Sequence, residues 1–310
     1  FDRSLRHFPA MVLSSEAIAA IDQASKLMVK ARSVSVFTGA GISVESGIPD
    51  FRSPGGLWER YDPFEYCNYD RFKQRPELFW RMARELVLDV HCQLGGSKEE
   101  ALRTGEFRIA EPNPAHRAIV DLEKLGVVSG VVTQNIDGLH RIAGSKKVIE
   151  LHGSDRTCTC MTCRYQVPQS EVVRQWSEFH HKNPSLSIQS DDFVPRHIGE
   201  GTCGGGVLKS DVTFFGEALP AGALMKATSA VMASSVCLVV GSSLEVAPAN
   251  MVPGMVRTRF GKVVVCNLDG AGEGKADVMI KGKASEVLPE LVQRVKEGRE
   301  QKRSDGCCIM

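Results

Sequence analysis

The sequence predicts an α/β protein: a parallel sheet with helices on both faces, plus a small inserted metal-binding module. Three observations carry that expectation. Short apolar, β-branched runs recur along the 310 residues, separated by segments of helical periodicity, as expected for strands buried on both faces of a parallel sheet. Five of those runs break into Gly, Ser, Asn, Asp, Gln or His at their carboxyl ends, the edge where such sheets bind ligands. Between residues 153 and 209 the pattern stops and cysteines cluster.

Residues 14–32 set Ile18, Ile21, Leu27 and Met28 on one helical face, with Ser14 or Ser15 as N-cap. The run 34–38 is a strand that opens into Gly39-Ala40-Gly41. Glycines there let backbone N–H groups approach a pyrophosphate. Val44 stands where a G-x-G-x-x-G motif needs its third glycine, so a plain turn is the alternative. Residues 53–63 are too rich in breakers for regular structure. With Phe51, Trp58, Tyr61, Phe64 and Tyr66 they read as a lid over the glycine loop.

Residues 70–92 read as one amphipathic helix through Leu78, Met82, Leu86 and Val90, ended by Gly95-Gly96. A second runs from Pro114 through Ile119, Leu122 and Leu125 to Gly126. Strand 127–132 leads into Gln134-Asn135-Ile136-Asp137, and strand 148–151 into His152-Gly153. Strand 236–240 leads into Gly241-Ser242-Ser243, and strand 263–266 into Asn267-Leu268-Asp269. A last helix, 285–297, buries Val287, Leu288, Leu291, Val292 and Val295, and a charged tail from 298 is expected to be flexible. The expected organisation is one discontinuous domain, 14–153 and 204–297, interrupted by a module at 154–203.

An apolar fraction of 43%, a charged fraction of 24% and a net charge of +1 are those of an ordinary globular protein and give no argument for nucleic-acid binding. No apolar run reaches membrane-spanning length, and no stretch resembles a signal peptide. Clustered thiols in a chain of this size suggest metal more than disulfides, hence a reducing compartment, cytoplasmic or nuclear. Cys160 and Cys163 form a CxxC hairpin suited to a tetrahedral zinc. Downstream stands Cys203 alone. His197 is the preferred fourth ligand, with Cys158 and Glu200 behind it and a site without metal as the alternative. A zinc here would be structural. The excursion 164–202, with Trp176, His180 and His181, reads as surface, its histidines solvated.

With these residues in view, the chain resembles the sirtuin family of NAD-dependent protein deacylases. The matching segments are 39–43 with 46–52, 133–140, 151–153, 211–217 and 241–246, in the family's order. The resemblance implies a Rossmann-like domain with an inserted zinc module and an acyl-lysine peptide bound in the cleft between. Two departures stand out: the family's second cysteine pair is reduced to Cys203, and the 164–202 insertion is longer than usual.

The resemblance also implies roles. The acetyl-lysine oxygen attacks the anomeric carbon, nicotinamide leaves, an alkylamidate forms, and His152 acts as general base on a ribose hydroxyl. Asn135 orients ribose and water, and Asp137 holds the nicotinamide carboxamide. Gly39, Ala40, Gly41, Asp50, Phe51, Arg52, Gln134 and Ile136 surround the nicotinamide end and diphosphate. Gly241, Ser242, Ser243, Asn267, Leu268, Asp269 and Ala284 line the adenosine end. Phe214, Phe215, Gly216 and Glu217 pair with the substrate backbone as an added strand. Sirtuins that favour succinyl or malonyl groups carry a Tyr and an Arg just after the lid arginine. Leu57 and Glu59-Arg60 lack that pattern, so uncharged acyl groups are expected. Bland readings stand beside these: a structural His152, helix-capping roles for Gln134, Asn135 and Asp137, and core packing for Phe214 or Phe215.

A protein ADP-ribosyltransferase using the same site is the main functional alternative, ahead of a non-catalytic NAD sensor or a dehydrogenase. Lys296, Arg299, Lys302 and Arg303 precede Cys307-Cys308-Ile309-Met310, which fits a C-a-a-X box with farnesylation at Cys307 and membrane association. A tail ending in unmodified cysteines is the other reading.

Overall fold

The computed structural model describes residues 13–53, 55–183, 192–199 and 203–307. Helix α1 (Ser15–Lys30) starts where the Ser14 hydroxyl accepts the Ala17 N–H at 3.1 Å, and it buries Ala17, Ile21, Ala24 and Met28. Strand β1 (Val34–Thr38) is buried at every position. Five helices follow: α2 (Leu57–Arg60), α3 (Pro63–Tyr66), α4 (Tyr69–Gln74), α5 (Pro76–Gln93) and α6 (Lys98–Thr104).

Two expectations are corrected in this stretch. Residues 53–63 hold regular structure after all, because Gly56 and Asp62 each start a one-turn helix, the Asp62 carboxylate accepting the Phe64 N–H at 2.8 Å. The single helix expected over 70–92 is two. Pro76 disfavours helical geometry in the residue before it, and Arg75 sits at φ −139°, ψ 67°. Pro76 then opens α5, whose buried side runs through Leu78, Phe79, Met82 and Leu88, with Leu86 and Val90 half-buried.

The chain continues through α7 (Pro114–Lys124), β2 (Val128–Thr133), α8 (Leu139–Ala143), β3 (Val148–Glu150), β4 (Gly153–Cys160), β5 (Gln166–Pro168), α9 (Gln169–Lys182) and β6 (Leu208–Val212). It closes with α10 (Ala223–Met232), β7 (Val236–Val240), β8 (Lys262–Asn267), β9 (Val278–Lys281) and α11 (Ala284–Cys307).

The main sheet is wholly parallel, in the order β3-β2-β1-β7-β8-β9. It has one strand more than expected, since the apolar run Val278-Met279-Ile280 is too short to stand out. Strand order reverses between β1 and β7, so the crevice at their carboxyl ends is the topological switch point. Thr38 lies beside Val240 there, and the two strand exits are laced together. The Gly39 N–H donates to Val240 O at 3.0 Å and the Gly41 N–H to Gly241 O at 2.9 Å. A Cβ on Gly39 would fall 2.7 Å from Gly241 O, and one on Gly41 2.8 Å from Gly241 Cα. These glycines therefore serve loop-on-loop packing as well as ligand approach.

Helices α1, α7 and α11 cover one face of the sheet over a core that includes Ile21, Met28, Ile119, Leu122, Leu288 and Leu291. Ala227 and Val231 of α10, with Val252 and Val256, cover the other. A third core makes a small lobe from two separate parts of the chain. Leu57, Phe72, Phe79 and Trp80 pack against Cys158, Val167, Leu208 and Phe214, and the Trp80 indole N–H donates to Leu208 O at 3.1 Å. The small antiparallel sheet, β5-β4-β6, takes its third strand from beyond residue 203, so the module reaches residue 212 rather than ending at 203. The excursion 164–202 is not all surface. Within it α9 buries Trp176, which stacks on Phe107 at 5.5 Å, and His180 is buried too, while His181 is exposed.

The stretch from 298 expected as a tail continues α11, which runs on to Cys307. Gly298 lies against Val29, and Arg299 donates to Leu125 O at 2.8 Å, tying this turn to the end of α7. Cys308, Ile309 and Met310 of the C-a-a-X reading lie outside the described residues, as do Pro54 and Glu200. No helix among the described residues is long and apolar enough to cross a membrane.

Candidate active site at the strand tips

Five strand ends meet at the crevice, joined by side-chain hydrogen bonds. After β2, the Asn135 amide donates to Gly39 O and to the Ser43 hydroxyl, both at 3.1 Å. Ser43 in turn donates to Asp137 at 2.7 Å, and the other Asp137 oxygen accepts the Leu139 N–H at 2.9 Å. With both donors of Asn135 committed, its Oδ1 is left without a protein partner among the described residues. Burial pushes the Asp137 carboxyl pKa up, against the opposing pull of these donors.

His152 follows β3. Its Nδ1 lies 3.0 Å from Gln134 O, and a carbonyl can only accept. Nδ1 therefore carries the hydrogen, leaving Nε2 as a bare lone pair with no protein partner among the described residues. Burial lowers the pKa of this imidazole, with the Gln134 contact opposing. The Gln134 side chain accepts from the Ser242 hydroxyl at 2.7 Å, and Asn267 donates to Ser242 O at 2.9 Å. The exits of β1, β2, β3, β7 and β8 thus form one network.

The lid folds back on residues 50–52, downstream of the first of these exits. Leu57 and Trp58 donate their N–H groups to Asp50 O and Phe51 O at 2.9 and 3.0 Å. The Asp50 carboxylate caps the turn through the N–H groups of Arg52 and Ser53, and Phe51 stacks on Trp58 at 5.0 Å. Arg52 pairs with Glu245 at 3.3 Å, an exposed contact worth little by itself. Not every expected residue is inward. Leu268 is 66% exposed, Asp269 caps its own turn through the Ala271 N–H, and Ala284 is buried at the start of α11.

The expected substrate strand is narrowed. Phe214 is core, with Phe72 and Phe79 rings 5.3 and 4.6 Å away. The backbone of Phe215 is already paired, its N–H to Cys67 O and its C=O to the Tyr69 N–H. The turn's Gly216 keeps both its N–H and its C=O without a protein partner among the described residues.

Cys160, Cys163, His197 and Cys203 converge, with ligand atoms all within 4.8 Å of one another. Cys160 Sγ is 3.4 Å from Cys203 Sγ, and Cys163 Sγ is 3.3 Å from His197 Nδ1. A tetrahedral zinc with such ligands has edges of about 3.5–3.8 Å, so the cluster fits a closed, structural site. The Gly206 backbone pulls the Cys203 thiol down to about 6, toward the thiolate that a metal needs. A Cβ on Gly206 would fall 2.6 Å from Cys160 Sγ, so only glycine fits beside the cluster. Cys158 is not part of it, since its thiol is buried and faces Gln169 at 2.9 Å.

The sequence reading missed a buried layer beneath the crevice. Thr38 donates to Thr133 at 2.7 Å, so the His140 Nε2 at 2.9 Å from the same hydroxyl must be the donor. Thr133 also accepts the Asn135 N–H at 3.0 Å, which ties this layer to the site. The His116 and His140 rings lie 5.0 Å apart. Only the strand register, Thr38 beside Thr133, reveals the connection. Burial pushes His116 down to about 4 and His140 to about 3, with the Arg117 charge adding to the first and the repulsion that a protonated His116 would exert adding to the second. Both rings are neutral in the fold but protonate in the unfolded chain near the ordinary pKa of about 6.5. The contribution of these two rings to stability is therefore flat above that pH and falls as pH drops below it, by about 2 kcal/mol per ring at pH 5. Urea midpoints at pH 7.5 and pH 5 check this. His116→Asn should lose less stability than wild type over that interval, and an equal loss would refute the assignment.

Comparison with known proteins agrees with this geometry. The Sir2 family profile matches residues 39–248. An NAD-dependent protein deacylase of Thermococcus kodakarensis is 41% identical over 89% of this chain and 96% of its own length. A solved structure described as the structural basis for the mechanism and regulation of Sir2 enzymes superposes with a TM-score of 0.75 at 37% identity, covering 90% of this chain and 98% of that one. A Sir2 variant solved with a deacetylated p53 peptide and 3'-O-acetyl ADP-ribose gives 0.70 at 32% identity, covering 89% and 97%. Matched across its nucleotide crevice and its inserted metal module alike, this chain belongs to the Sir2 family.

Proposed function

We infer that the protein is an NAD-dependent protein lysine deacetylase, yielding nicotinamide, O-acetyl-ADP-ribose and free lysine. The observation that carries this reading is the bare Nε2 of His152 at the crevice, its tautomer set by the Gln134 carbonyl. NAD is a co-substrate here, lying across the tips of β1 and β7 with its adenosine toward Ser242 and Asn267. Asn135 then offers Oδ1 to the ribose or to water, and Asp137 faces the carboxamide. His152 takes a proton from a ribose hydroxyl at Nε2, and its lowered pKa keeps it in the base form below the ordinary imidazole range. The lid and the small lobe exclude water while the glycosidic bond is open.

Uncharged acyl groups suit the lid, because Leu57 and Glu59-Arg60 offer no Tyr-and-Arg pair for an acyl carboxylate. Glu59 would repel an acidic acyl chain. The metal site would hold the β4–β5 hairpin to His197 and Cys203, with no step of the reaction passing through it. A reducing compartment, cytoplasmic or nuclear, suits its thiolates.

The test is incubation with an acetyl-lysine peptide, with and without NAD, following both products. Nicotinamide and free lysine should appear in equal amounts and only when both substrates are present. ADP-ribose left on an acceptor without deacylation would select the transferase reading instead.

A further inference from the structure

We propose that Lys209, on β6 of the small lobe, is a positioning residue for peptide binding, acting through Glu217 on the turn 214–217. The proposal rests on the deacetylase reading for what the turn receives, but the latch itself is a matter of geometry.

Lys209 is a buried cation, 6% exposed. Its ammonium has three hydrogens and meets three acceptors: Glu217 Oε2 at 2.9 Å, Ser210 O at 2.8 Å and Val212 O at 2.8 Å. It also stands 4.0 Å from the centre of the Phe214 ring. A charge so completely matched is held in one place. Glu217 is held with it. The same Glu217 oxygen accepts the Phe214 N–H at 2.9 Å, and the Glu217 N–H returns to Phe214 O at 3.0 Å.

The carboxylate expected at the substrate is thus turned inward, and what it fixes is the backbone between. Gly216 sits at φ +78°, a conformation that suits glycine, and presents an unpaired donor and acceptor. The Phe215 ring beside it touches the lid aromatics Trp58 and Phe64 at 6.4 and 5.5 Å. An extended peptide adding to Gly216 needs that N–H and C=O already oriented. Without Lys209, Glu217 would be a partly buried carboxylate lacking its counter-charge, and the turn would relax as the carboxylate sought water. The nearest link to the strand-tip network is through backbone alone, the Thr213 N–H donating to His152 O at 2.8 Å, so NAD binding should feel the change far less than peptide binding.

The experiment measures binding of a fluorescein-labelled acetyl-lysine peptide by anisotropy, alongside the KM for NAD, in wild type, Lys209→Met, Lys209→Arg and Glu217→Gln. Lys209→Met removes the donor and Glu217→Gln removes the charge that holds it, and each should weaken peptide binding about tenfold, the size of one charged interaction. The NAD KM should stay within about twofold, and Lys209→Arg should recover most of the affinity. If Lys209→Met does not fold, the near-isosteric Glu217→Gln decides. Unchanged peptide affinity in that variant, or peptide affinity and NAD KM worsening together as in a general loss of structure, would overturn the proposal. Wild type that binds the peptide with the expected variant pattern yet releases no lysine would leave the latch standing and refute the deacetylase reading.

Discussion

Replacing His152 with phenylalanine is expected to lower kcat for deacetylation by about 10²–10⁴-fold, the usual contribution of a positioned general base. Phenylalanine keeps the ring's shape but removes both nitrogens. The loss at Nδ1 is one hydrogen bond to a backbone carbonyl, which costs about 1 kcal/mol of stability. The loss at Nε2 is the base itself. The two are separable, because the base is needed only after nicotinamide has left. Peptide-dependent exchange of labelled nicotinamide into NAD should therefore survive far better than lysine release. Equal loss of both in a folded variant would mean that the ring organises the nucleotide rather than moving a proton.

Removal of the metal should unfold the small lobe and leave the parallel sheet standing. The four ligands come from positions 160, 163, 197 and 203, so one ion joins a hairpin to a distant return of the chain. Structural zinc in small domains contributes apparent binding energies of about 10–16 kcal/mol, as large as the whole stability of a typical domain. The lobe's core includes Cys160 itself, with Leu208 and Phe214, whereas the sheet has two cores of its own. The three tryptophans of the chain, Trp58, Trp80 and Trp176, all sit in this lobe or on its helices, so intrinsic fluorescence reports on it selectively. A strong chelator, or Cys203→Ser, should shift the emission to the red and abolish deacetylation, and zinc should restore the chelated protein. Unchanged emission in protein shown to be metal-free would refute the structural role.

Much of this was legible in the amino acids. Parallel strands buried on both faces are mostly apolar and β-branched, so β1, β2, β7 and β8 stand out, and the polar residues at their ends mark the crevice. What was hidden depends on contacts distant in sequence. Gly39 and Gly41 read as a phosphate loop, yet their closest constraint is Gly241, some 200 residues away. Thr38, Thr133 and His140 form a layer only once the register is known. The inward turn of Glu217 depends on Lys209, which an eye scanning for motifs passes over. The break at Pro76 is different, because the proline stood in the sequence and the apolar periodicity around it masked its effect.

Everything proposed for this site requires a dinucleotide across the strand tips with its distal ribose against one imidazole. A crystal structure of the protein with ADP-ribose would show whether it lies there. The adenosine should sit beside Ser242 and Asn267, with a ribose hydroxyl within about 2.6–3.2 Å of His152 Nε2. A ligand bound elsewhere, or a ribose with no hydroxyl in reach of that nitrogen, would rule the assignment out.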